Sequence, residues 1–136
     1  MARAVGGENR KVSGEDMMQS EANMTQMTLQ VPDELAERIE PFGNWLPTII
    51  ELGLIGFKTM ATLTASEVVK FLASNPTPQR VLTYHASDAA QQRLQRLLAL
   101  NEAGMLSELE QLELDELQQL EHVLVMLKAR VAAELQ

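Results

Sequence analysis

The stretch MTLQVPDELAERI, residues 27–39, changes its period in the middle. Over Gln26–Val31 polar and apolar residues alternate. Met27, Leu29 and Val31 fall on one face and Gln26, Thr28 and Gln30 on the other, the pattern of a half-buried strand. Pro32 then opens a helix, where a missing N–H is harmless. Asp33 and Glu34 suit the positive end of its dipole, and Leu35, Ile39 and Phe42 form a stripe at helical spacing. Pro41 limits this helix and Gly43-Asn44 turns the chain. No other segment alternates in this way, so the strand has no evident partner in its own chain.

Working outward, a second helix is expected from Leu46 to Phe57, with Glu51 as the only charge between those ends. A helix apolar on nearly every side is expected to be covered on nearly every side, and Gly53 and Gly56 would admit a close neighbour. TMATLTAS reads as a linker, Ser66–Ala73 as a third helix, and PQRVLTYH as a short helical turn. Ser87-Asp88 starts a helix that Gly104 ends. Ser107 with Glu110 has the spacing of a capping box before a long helix running to about Leu135. Its seam is Leu109, Leu112, Leu117, Leu120, Leu124, Leu127, Val131 and Leu135. Two helices with a short connection pack antiparallel. The longer one overhangs, and its apolar edge needs the front of the chain or a partner to cover it.

Composition narrows the chemistry. The 136 residues carry a net charge of -8, with four basic and nine acidic groups over residues 87–136. A strongly acidic chain does not coat nucleic acid or an anionic membrane, and a basic partner suits its C-terminal half. There is no cysteine, which excludes disulfides and thiolate chemistry and fits a reducing cytoplasm. The longest apolar run, WLPTIIELGLIGF, is too short to span a bilayer. His85 and His122 are far apart, and ELEQLELDE reads as a charged helix face without a metal-binding or phosphate-binding motif. No enzyme, cofactor or metal is expected.

The order of strand, Pro-Asp-Glu, amphipathic helix, turn and apolar helix, carried by TLQVPDELAERI and LPTIIELGLIGF, resembles the ribbon-helix-helix family of small bacterial repressors and antitoxins. The resemblance implies a homodimer in which the strand pairs antiparallel with its copy as an intermolecular ribbon. Met27, Leu29, Val31, Leu35, Ile39, Ile50 and Leu54 would form the dimer core. Gln26, Thr28 and Gln30 would face the DNA major groove, and the turn at Asn44 would hold a phosphate. The ribbon differs from the family's usual pattern in having no lysine or arginine.

The C-terminal half is similar to a group of bacterial antitoxin-like proteins of unknown activity. The shared positions are Leu97, Leu98, Asn101, Glu102, Gly104, Leu106, Ser107, Leu120, Glu121, His122, Lys128, Ala129 and Arg130. That likeness implies a basic toxin or other protein as partner, with Leu109, Leu112, Leu117, Leu120 and Leu124 as the contact.

The expected protein is mostly α-helical: a short N-terminal strand, two helices, a linker helix and a long antiparallel helical hairpin. Its expected parts are a disordered tail over 1–23, a dimerisation module over 24–60, a linker with short helices over 61–86 and a partner-binding hairpin over 87–136. The expected function is an antitoxin-like, cytoplasmic transcriptional regulator. The alternative is a dimeric interaction or scaffold protein that binds no DNA.

Overall fold

The computed structural model describes residues 24–136 and the two-residue strand β1, Ala4–Val5. The rest of the expected tail over 1–23 lies outside the described residues. The protein is mostly helical, with a short strand near its N-terminus and a long helix at its C-terminus, as its periodicity predicts. It comprises two compact units, Met1–Glu40 and Pro41–Gln136. The division falls inside the stretch 24–60 that the sequence suggests as one module.

In the first unit, strand β2 is Thr28–Leu29 and helix α1 is Asp33–Ile39. β2 pairs antiparallel with β1, Ala4 opposite Leu29 and Val5 opposite Thr28. This corrects the expectation that β2 lacks a partner in its own chain and must find one in a second copy. Two residues amid Gly, Arg and Glu are too few to show alternation, so β1 left no signal in the sequence. Pro32 stands just outside α1 as its N-cap, with Asp33 and Glu34 in the first turn and Arg38 in the last. The 3-10 turn Glu40–Trp45 follows, kinked at Gly43, whose φ of 54° is open to a residue without a side chain.

The second unit is built around its last helix. Its elements are α2 (Leu46–Ile55), α3 (Ala61–Ala73), α4 (Pro78–Leu82), α5 (Asp88–Glu102) and α6 (Glu108–Glu134). α6 packs against all of the other four. The overhang foreseen for the long helix is therefore covered by α2, α3 and α4. One core cluster joins Trp45, Leu52, Val68, Leu72 and Val81 to Leu120, Val123, Leu127 and Val131. A second, nearer the hairpin bend, holds Ala61, Leu97, Leu114 and Leu117. Trp45 enters the first cluster with its polar end satisfied, Nε1–H donating to the Pro76 carbonyl at 3.1 Å.

Helix ends follow local chemistry. Ser87 and Ser107 cap α5 and α6, accepting from Ala90 N–H at 3.2 Å and Glu110 N–H at 3.1 Å. Ser107 N–H in turn donates to the Glu110 carboxylate at 3.0 Å, completing the capping box. That bond and the one from the Ser107 side chain hold the Glu110 carboxyl below its usual pKa. Gly104, at φ 67°, ends α5 in the left-handed region. Replacing Ser107 with alanine is expected to lower stability by about 1 kcal/mol, read by urea unfolding. Gly56, at φ 65°, likewise ends α2 two residues before the expected Phe57, so it is a cap and not a packing surface. α3 begins at Ala61, five residues before Ser66, because its start is capped from outside the helix, as described next.

Candidate functional site

The run ELEQLELDE is more than a solvated face. Glu113 and Glu116 are buried, at 4 % and 5 % exposure. Glu116 reaches from α6 to the segment before α3, accepting from Lys58 N–H at 2.8 Å, Thr59 N–H at 3.1 Å and the Thr59 hydroxyl at 2.6 Å. Thr59 Oγ1 then accepts from Ala61 N–H at 3.1 Å. A carboxylate of one helix thus closes the amino end of another, where negative charge is favoured. Burial pushes the Glu116 pKa up, but the Thr59 hydroxyl, the Lys58 and Thr59 N–H groups and the Lys58 charge outweigh it and hold it below the usual carboxylate value. Glu113 is gripped bidentately by Arg93 of α5, Nε to Oε2 at 2.9 Å and Nη2 to Oε1 at 2.8 Å. That bond raises the pKa of the guanidinium.

The residues assigned to a dimer core are uncovered in the single chain. Met27, Leu29, Leu35, Ile50 and Leu54 are exposed, Leu54 to 82 %, and Val31 and Ile39 are half-buried. No residue of α1 is buried. In α2 only Thr48 and Leu52 are buried, so the expectation of covering on nearly every side is not met within one chain. A Cβ built on Gly53, between Ile50 and Leu54, would meet nothing within 4 Å. Gln26, Thr28, Gln30 and Asn44 are exposed as well. Residues 24–31 contain no cation.

The five leucines assigned to a protein partner do not share one surface. Leu109 and Leu112 are exposed, Leu124 is half-buried, and Leu117 and Leu120 are core, with Leu120 only 2 % exposed. The assignment of Leu117 and Leu120 as partner contacts is corrected: α3 and α5 lie against α6 and take up that face. The inward residues include Leu114 and Val123, which the seam omits. Leu112 is two residues before Leu114, and at 3.6 residues per turn it points to the opposite side.

What remains open on the hairpin is a trough between α5 and α6. Its wider part, about 530 Å³, is bounded by the loop Tyr84–Ala86, by Asp88, Gln91 and Leu94 of α5, and by Leu120, Glu121, Leu124, Val125 and Lys128 of α6. A narrower part of about 430 Å³ continues past Leu98, Gln118 and His122 and shares Leu94, Glu121 and Val125. The loop at its wide end is tied down on several sides. Lys128 Nζ donates to the Tyr84 carbonyl, and Gln91 Nε2 donates to the Ala86 carbonyl at 2.6 Å. Glu67 accepts from Ser87 N–H at 3.2 Å and Ser87 Oγ at 2.9 Å. Tyr84 stacks on Phe71 with centroids 4.4 Å apart. Burial, then the Glu67 charge, raises the pKa of the Tyr84 hydroxyl. The trough is one that sequence reading missed. Its signal was Leu94 and Leu98 on one helix and Leu124 on the next; Leu124 is among the expected partner contacts, but the sequence reading does not set Leu94 and Leu98 opposite it.

His85 lies at the trough's mouth and His122 on its edge, both exposed. Among the described residues no group of three or more His, Cys, Asp or Glu is placed to hold a metal ion, and no helix is long and apolar enough to cross a membrane. No protein-family model, curated protein or solved structure matches this chain.

Proposed function

We propose that this chain is a dimeric interaction protein of antitoxin-like layout, working in the cytoplasm, whose second copy covers the apolar faces left bare on α1, β2 and α2. The observation that carries this reading is the exposure of Met27, Leu29, Leu35, Ile50 and Leu54 together. Scattered apolar residues are ordinary on a surface, but all seven positions that the ribbon-helix-helix resemblance assigns to a shared core are exposed or half-buried here. The in-chain ladder of β1 and β2 is two residues long.

Sedimentation equilibrium across micromolar concentrations tests this. The native chain is expected to dimerise, and Leu54→Asp, a change at an exposed position, is expected to give monomers that circular dichroism shows to be folded. A native chain that stays monomeric at tens of micromolar overturns the reading.

Operator binding is the second reading, favoured by the exposure of Gln26, Thr28 and Gln30. Glutamine can pair bidentately with adenine, and threonine can meet a thymine methyl. Phosphate contacts dominate DNA affinity, and residues 24–31 offer no cation for them, so the DNA-free reading stands first. A gel-shift titration with the chain's own promoter separates the two: a salt-sensitive complex weakened by Gln30→Ala supports DNA binding, and no shift leaves the interaction protein.

A further inference from the structure

The geometry points to the trough between α5 and α6 as the seat of an amphipathic helix from a partner protein, with basic residues flanking its apolar stripe. The trough runs beside α6 from Leu117 to Lys128. Eleven rises of 1.5 Å make about 16 Å, three helical turns, which suits anchors at i, i+3 or i+4, and i+7. Leu94, Leu124 and Val125 give it an apolar floor, and carboxylates stand on both banks, Asp88 from α5 and Glu121 from α6.

Charge selects the occupant. The lining carries one ammonium, Lys128, whose bond to the Tyr84 carbonyl leaves its charge in place, against the carboxylates of Asp88 and Glu121. Glu67 lies close enough behind the loop to perturb Tyr84. Carboxylates therefore outnumber the one ammonium around the trough, in a half of the chain with nine acidic and four basic groups. A lysine- or arginine-flanked helix is attracted there and an acidic one repelled. A second copy of this acidic chain is disfavoured on the same ground. The trough belongs wholly to the unit Pro41–Gln136 and involves none of the residues assigned to self-association. The two proposals therefore fail separately, one on oligomeric state and the other on peptide binding.

The test uses the full chain and two designed helical peptides, one of leucine and lysine and one of leucine and glutamate in the same pattern, followed by fluorescence anisotropy. The lysine peptide is expected to bind and the glutamate peptide not. Val125→Arg and Glu121→Lys, both at exposed positions, are each expected to weaken binding, Val125→Arg about tenfold or more as a contact on the floor and Glu121→Lys severalfold as a reversed charge on the bank. Leu109→Arg, exposed but outside the trough, is expected to leave binding within about twofold, and circular dichroism is expected to show all three variants folded. Equal binding of both peptides, or binding unmoved by Val125→Arg and Glu121→Lys, overturns the proposal. So does dissociation of a dimer by Val125→Arg, which would make a second copy the occupant.

Discussion

Replacing Glu116 with alanine is expected to lower the melting temperature by roughly 10 °C, from a loss of about 2–4 kcal/mol. The carboxylate is 5 % exposed and takes three hydrogen bonds, from Lys58 N–H, Thr59 N–H and the Thr59 hydroxyl. Alanine leaves those donors facing the void and removes the negative charge from the amino end of α3. Glu116→Gln keeps the volume but turns an amide N–H toward one of the two backbone donors, so a smaller loss is expected.

The two variants also differ from the native chain in acid. Because the folded Glu116 carboxyl has a lowered pKa, the native state holds this proton more weakly than the unfolded state. Its contribution is therefore full above the unfolded carboxylate pKa and is lost as pH falls through the folded value. Urea unfolding of the native chain is expected to show a fall in stability below about pH 4.5 that is shallower in Glu116→Gln. Parallel pH profiles for the two would remove Glu116 from this role.

Leu120→Ala is expected to destabilise by about 2–5 kcal/mol, whereas Leu109→Ala is expected to change stability by no more than about 0.5 kcal/mol. Leu120 is buried in the cluster that also holds Val68, Leu72 and Leu127, and its removal opens a cavity there. Leu109 is 66 % exposed and fills nothing. Both belong to the same apolar seam in the sequence, so equal effects would mean that the packing around α6 is not as described.

That contrast shows where sequence reading holds and where it stops. Serine caps at Ser87 and Ser107, the glycine stop at Gly104 and the short turn at Pro78 were legible because each depends on residues within a few positions. α3 starts five residues before the expected Ser66 because Thr59, which accepts from Ala61 N–H, is held by Glu116, 57 residues away, and no local pattern records that hold. The seam of α6 was read as one stripe, yet which of its residues face a neighbour depends on where α2–α5 lie. Glu113 and Glu116 looked like solvated charges for the same reason. β1 was missed because two residues carry no period. Of the candidate surfaces, the bare apolar face of α2 was visible in composition, while the trough arises only when α5 and α6 are set side by side.

Glu116 also sets an order of events during synthesis. The amino end of α3 leaves the ribosome more than fifty residues before the carboxylate that closes it. Until α6 has emerged and docked, Thr59 lacks the carboxylate that holds it against Ala61, and Ala61 lacks the leucines that bury it. The middle of the nascent chain must wait for its last helix, and any factor that shields unfinished apolar segments has its target there.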